Sequence, residues 1–196
     1  MEIKINDLKL EFKIIPLTFE NKNNENVFFD KNNKTLLQTL EHDKYSRFKT
    51  LLSDKYRNHF DLKLGDFLKL LKQTNDNNYL CFLNKYGDNK FCKFKINDHL
   101  TDKGIYFYAI NNEIKYVGRC TDSFKKRINQ GYGKIHPKNC FIDGQATNCH
   151  INSLINSAVN VEFGIYIMSE KTKDEIKELE KLILTFNRYE WNIQKS

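Results

Sequence analysis

The chain has 196 residues, of which 40% are hydrophobic and 29% charged, and 32 basic against 25 acidic side chains give it a formal charge of +7. A chain of this length makes one large domain or two small ones and can bury about 70% of its unfolded surface, so it should fold without disulfide or metal staples. A mean hydropathy of −0.65, no apolar run near the ~20 residues of a membrane span and no long apolar core after Met1 argue against a membrane partner and predict a cytoplasmic protein.

In chain order, Ile3 and Ile5, then Leu8, Leu10, Phe12 and Ile14, recur with the period of two that half-buried strands require, which predicts two strands able to form a hairpin. Glu20 to Asn33 is polar, Asn-rich and aperiodic, and reads as a surface loop. Helical spacing follows at Leu36, Leu37, Leu40, Tyr45, Phe48, Leu51 and Leu52, and again at Leu64, Phe67, Leu68, Leu70 and Leu71, which predicts two amphipathic helices. Tyr79 to Leu83 and Phe91 to Ile96 flank the turn chemistry of Gly87-Asp88-Asn89 and read as a second hairpin. A polar stretch ending at Gly104 then separates an N-terminal α+β region, 1–100, from a second region, 101–196. Both halves are modestly basic and neither is a basic tail, so a nucleic-acid surface would have to be made by folding.

The second region opens with Gly104-Ile105-Tyr106-Phe107-Tyr108-Ala109-Ile110, an Asn111-Asn112 pair, and Glu113-Ile114-Lys115-Tyr116-Val117-Gly118. β-branched and aromatic residues around an Asn pair make a hairpin, since Asn tolerates the positive φ of tight turns. Its register is open. A two-residue loop pairs Tyr106 with Val117 and puts Tyr116 on the face opposite Tyr106. A three-residue loop pairs Tyr108 with Tyr116 and gathers Tyr106, Tyr108 and Tyr116 on one face. Beyond the hairpin, Thr121, Asp122 or Ser123 can cap a helix carrying Phe124, Lys125, Lys126, Arg127 and Ile128. A short helix is expected near Ile151 to Ala158, a third strand at Val161 to Ile167, and a last helix from a Thr172 cap through Phe186.

This succession resembles the GIY-YIG nuclease family. The triplets stand as Gly104-Ile105-Tyr106 and Tyr116-Val117-Gly118, Arg127 matches the arginine of the following helix, Glu180 the metal-binding glutamate, and Asn192 the late asparagine. The spacing from Glu180 to Asn192 is similar to that in the nuclease module of the bacterial excision-repair incision subunit. One helical turn after Arg127 the family carries His or Tyr; that position is Gly131 here, and Tyr132 is the nearest phenol. The resemblance implies an α+β nuclease domain over 101–196, with a small, mainly antiparallel three-stranded central sheet flanked by helices, and an N-terminal region that helps recognise DNA. It also implies a Mg²⁺- or Mn²⁺-dependent DNA endonuclease of restriction or mobile-element type. Glu180 would hold the metal and Arg127 the scissile phosphate. Tyr106, assisted by Lys115, would deprotonate the attacking water, Tyr116 would orient phosphate or water, and Tyr132, Lys126 and Asn192 would bind substrate. A two-fold recognition site would go with a homodimer. The alternative is a weak or inactive module that only binds nucleic acid.

The same residues also have plainer readings. Glu180 lies four after Ile176 and three before Ile183, inside an apolar stripe, where a carboxylate needs a cation or an ion pair with Lys115, Arg127 or Lys177. Lys125, Lys126 and Arg127 can be a solvated helix face, Lys115 a solvent-facing strand lysine, and Asn192 a tether for the C-terminal end. The five cysteines are odd in number and unpatterned, as reduced thiols are. His136, Cys140, Cys149 and His150 could be drawn as four zinc ligands, but they lack paired two-residue knuckles, and a buried thiol packing a loop accounts for them better.

Overall fold

The structure, a computed structural model, describes residues 1–193. The protein is α+β. It divides into two compact units, and the division does not fall near residue 100: one unit takes Met1–Lys22, Cys92–Lys134 and Leu154–Ser196, the other Asn23–Phe91 and Ile135–Ser153. Among the described residues no helix is long and apolar enough to cross a membrane.

In the second of these units the first expected helix is three short ones. α1 (Leu36–Leu40) starts at a capping box between Thr35 and Gln38, α2 (Asp43–Ser46) starts where the His42 side chain accepts from the Lys44 amide, and α3 is Lys49–Tyr56. α4 (Leu64–Gln73) is the amphipathic helix its pattern predicts, burying Leu64, Phe67, Leu68 and Leu71. The core gathers these with Phe28, Leu36, Leu40, Leu52, Phe82, Cys140, Phe141 and Cys149. Two expectations fail. The supposed loop Glu20 to Asn33 holds the end of a strand, Thr18–Asn24, and a 3-10 turn, Val27–Asp30, whose Phe28 is fully buried. Tyr79 to Leu83 is no strand: Asn77–Phe82 is a 3-10 helix, begun by the Asp76 side chain accepting from Asn78 N, and it places Tyr79 and Phe82 in the core.

The other unit is built on strands. β1 (Glu2–Ile5) and β2 (Leu8–Glu11) form the expected hairpin, turning at Asn6 with φ 50°. β3 is Lys13–Ile15, and β4 (Thr18–Asn24) pairs with β5 (Phe91–Lys95). β6 (Gly104–Ile110), β7 (Glu113–Cys120) and β8 (Val161–Ile167) are the three strands predicted in the second region. The sheet has a fourth strand, because β3 pairs antiparallel with β8; the order is β3-β8-β6-β7. After α5 (Ala146–Ser157) and β8 comes α6 (Lys173–Phe186), opened by a reciprocal Thr172–Glu175 capping box as its sequence predicts.

β6 is buried along almost its whole length because both faces of the sheet are covered there. Ile105, Phe107, Ala109 and Val117 share a core with Ile3, Ile5, Leu10 and Phe12 and with Ile176 and Ile183 of α6. Tyr106 and Tyr108 point the other way, into a cluster with Tyr116, Tyr132, Phe124 and Phe163. The β6–β7 register contains both arrangements weighed above. Asn111 and Asn112, with φ 50° and 64°, make a two-residue turn that pairs Ile110 with Glu113 and Ala109 with Ile114. A bulge then skips Lys115, so that Tyr108 pairs with Tyr116 and Tyr106 with Gly118. The short turn and the shared tyrosine face therefore coexist, one on each side of the bulge.

Candidate active site

The hairpin glycines are explained by what touches them. Gly104 has φ +147°, and a Cβ there would stand 2.1 Å from the Tyr166 carbonyl oxygen; a Cβ on Gly118 would stand 2.6 Å from the Tyr106 hydroxyl. Tyr106 thus lies across its strand partner, with its hydroxyl in the tyrosine cluster.

Arg127 closes that cluster. Its Nε donates to the Tyr106 hydroxyl at 3.0 Å, its Nη2 donates to the Tyr132 hydroxyl at 2.6 Å, and its guanidinium lies 4.6 Å from the centre of the Tyr132 ring. Tyr106 donates to Tyr132 at 3.2 Å, and the Tyr116 and Tyr132 hydroxyls are 3.0 Å apart. Tyr132 can take the place expected at Gly131 because Lys125–Tyr132 is a π-helix, marked by the Gly133 N to Ile128 O bond. A π-turn returns to the same face after about five residues rather than four. The sequence gives no sign of this beyond the displaced tyrosine.

Burial sets the ionisation of these groups. Tyr106 and Tyr132 are 0% exposed and Tyr116 7%. Desolvation lifts the phenols of Tyr106 and Tyr116 well above their ordinary range, against the pull of Arg127. Burial works against the Arg127 cation too, but the oxygens of Tyr106 and Tyr132 outweigh it and hold its pKa above the usual arginine value. The upward shift favours the protonated phenol of Tyr106 beside a charged guanidinium, the direction opposite to the phenolate expected of it.

Arg127 also lines an open hollow of about 410 Å³, together with Arg119, Cys120, Thr121, Asp122, Ser123, Lys126 and Glu180. Glu180 reaches it from α6 and is ion-paired with Arg119 of β7. Lys126 bonds Asp122, which lies just before its helix, at 2.7 Å and holds that carboxyl below its usual range. Arg127, Glu180 and Lys126 thus meet at one hollow, while Tyr106, Tyr116 and Tyr132 are not among the residues lining it. Arg119 was missed in the sequence. Its signal was the period of two: it pairs with Ile105 and follows Val117 by two, on the face that α6 covers. Among the described residues no three His, Cys, Asp or Glu side chains gather as metal ligands. A hollow carrying Glu180 and Asp122 still fits Mg²⁺, which binds through one or two carboxylates and otherwise through phosphate oxygens and water.

Two expected site residues lie elsewhere. Lys115 is the bulge residue, and its ammonium sits 2.9 Å from both Glu113 and Glu190, engaged away from the tyrosine cluster. Asn192 bonds the backbone of β7 through both ends of its amide, with Oδ1 accepting from Val117 N at 2.9 Å and Nδ2 donating to Val117 O at 2.8 Å. With Trp191 N donating to Lys115 O, these bonds hold residues 191 and 192 against the outer edge of β7, as a tether would.

No family model, curated protein or solved structure matched the chain in these three comparisons.

Proposed function

We propose that this protein is a divalent-metal-dependent endonuclease that hydrolyses DNA phosphodiester bonds at the hollow between Arg127 and Glu180. The observation that carries the reading is the preparation of Arg127: two of its nitrogens are fixed by buried phenols, and its remaining N–H groups belong to a residue lining an open, cation-rich hollow. A planar donor fork held in advance stabilises charge developing on phosphate oxygens without reorganisation, and loss of one such donor typically slows a reaction by about 10² to 10³. Glu180 supplies the anchoring carboxylate, and Mg²⁺ or Mn²⁺ held there would add Lewis-acid charge to the phosphate. Lys126 and Arg119 add positive potential for the DNA backbone. Tyr106, Tyr116 and Tyr132 act through Arg127 and are positioning residues. Hydrolysis of this class leaves a 5′-phosphate and a 3′-hydroxyl.

The test is incubation of mixed-sequence DNA with the protein and Mg²⁺, followed by sequencing of the ends. Metal-dependent ends bearing 5′-phosphate agree with the proposal, and intact DNA contradicts it. A second reading, nucleic-acid binding without cleavage, draws support from Glu180 being already paired with Arg119. It predicts salt-sensitive DNA binding with no new ends at any Mg²⁺ concentration.

A further inference from the structure

Every charged group on the hollow is matched within the protein, but not in the same way. Arg127 is half-buried and tied to two phenols, and Lys126 pairs with Asp122 of the segment just before its helix. Arg119 and Glu180 come from different elements, β7 and α6, and pair among the residues that line the hollow. The Arg119 side chain is 43% exposed and the Glu180 side chain only 13%. The guanidinium therefore occupies the carboxylate that a cation would otherwise bind, and it is the more open member of the pair. An ion pair with one such exposed member is weak and readily exchanged, and guanidinium is well matched to phosphate, which could accept it in place of the carboxylate.

We infer that Arg119 is a resident counter-ion of Glu180 that competes with divalent cations for this carboxylate and keeps metal affinity low while no phosphate occupies the hollow. The inference rests on the metal-binding role proposed for Glu180. A DNA phosphate that draws Arg119 away uncovers Glu180, so metal and substrate bind with mutual support, as linkage requires of two ligands that relieve the same contact. The distribution of charge favours this over a purely structural pair. Glu180 is beside the inward residues Ile176 and Ile183 yet presents its carboxylate at an open hollow, where a stabilising ion pair needs no adjoining space.

The test is equilibrium binding of Mn²⁺ alone to the full chain, read by loss of the free-ion electron paramagnetic resonance signal, for wild type, Arg119→Gln, Glu180→Gln and the double variant. Arg119→Gln is expected to bind Mn²⁺ about tenfold more tightly than wild type, the size of a typical coupling between two sites, and Glu180→Gln is expected to abolish that gain. Melting curves provide a second readout: Mn²⁺ should raise the midpoint more in Arg119→Gln than in wild type, because tighter binding to the native state stabilises it further. Equal or weaker Mn²⁺ binding in Arg119→Gln, with binding still dependent on Glu180, overturns the inference and leaves the metal role of Glu180 standing. Binding that is absent or indifferent to Glu180 in both proteins overturns the inference and the metal role together. Arg119→Lys, which keeps the charge and loses the fork, is expected to fall between wild type and Arg119→Gln; should Arg119→Gln fail to fold, Mn²⁺ binding by Arg119→Lys no tighter than wild type overturns the inference.

Discussion

Tyr132 is the fifth residue after Arg127, yet the Arg127 guanidinium donates to the Tyr132 oxygen at 2.6 Å and lies over its ring. In an α-helix a five-residue spacing turns the second side chain well away from the first; the wider π-turn brings it back. The Tyr132 oxygen receives Arg127 and Tyr106 and adjoins Tyr116, so it is the junction of the cluster.

Tyr132→Phe should therefore do more than remove one bond. It leaves a part-buried guanidinium nitrogen without its acceptor, and a bond to a charged group is worth about 1.5–3 kcal/mol. Urea unfolding should show a loss in that range, and DNA cleavage should slow because Arg127 is no longer held. A change below about 0.5 kcal/mol, the level of an ordinary surface substitution, would mean that Tyr132 does not organise the cluster.

Tyr108 is the contrasting case. It is fully buried among the same rings, but its hydroxyl has no hydrogen-bond partner among the described residues. Tyr108→Phe removes an unsatisfied polar atom and keeps the ring, so it should recover part of the roughly 1–3 kcal/mol desolvation penalty and raise the unfolding midpoint. A clear loss of stability would show that this hydroxyl is in fact satisfied.

The phenols also set a pH dependence. The folded-state pKa values of Tyr106, Tyr108 and Tyr116 all lie above the ordinary value of 10.0, chiefly through desolvation. The native state thus holds these protons more tightly than the unfolded chain. The associated stability is complete below about pH 10 and is lost as pH rises from there towards the raised native values. Tyrosinate absorbance of the folded protein should show that Tyr106 does not ionise near neutrality, and the cleavage profile should lack a rising limb from its ionisation between about pH 7 and 9. A limb in that range that disappears in Tyr106→Phe would restore the phenolate.

Asn192→Ala should act on the sheet edge rather than on substrate. Losing both bonds to Val117 leaves a backbone N–H and C=O unpaired at a partly buried site, at a cost of about 1–3 kcal/mol. Hydrogen exchange at the Val117 amide should quicken, while the affinity for DNA should not change. A clear loss of DNA affinity with Val117 exchange unaltered would assign Asn192 to phosphate instead.

Much of the site unit could be read in advance, because its elements are coded locally. Thr172 caps α6, β-branched and aromatic residues mark β6 and β8, and Asn111-Asn112 supplies the positive φ of the turn. What escaped depends on contacts distant in sequence. β4 is almost wholly exposed and Asn-rich, so it shows no alternation, and it is a strand only because β5 pairs with it, with Glu20 bridging Lys93 and Lys95. The bulge at Lys115 is matched by a carbonyl bond to Trp191, which lies far along the chain. β3 joins the sheet only through β8, which is why a boundary near residue 100 looked reasonable. Of the expected site residues, Arg127 and Glu180 do line one hollow, whereas Lys115 and Asn192 carry side chains suited to a site but engaged elsewhere.

The claim that Arg127 and Glu180 form one phosphodiester-hydrolysing site is tested most directly by the rate at which supercoiled plasmid is nicked in Mg²⁺ by wild type, Arg127→Ala and Glu180→Ala. The account predicts nicking by the wild-type protein and a loss of about 10² or more in each variant, with DNA binding retained by Glu180→Ala. Nicking that continues undiminished in Glu180→Ala would contradict it.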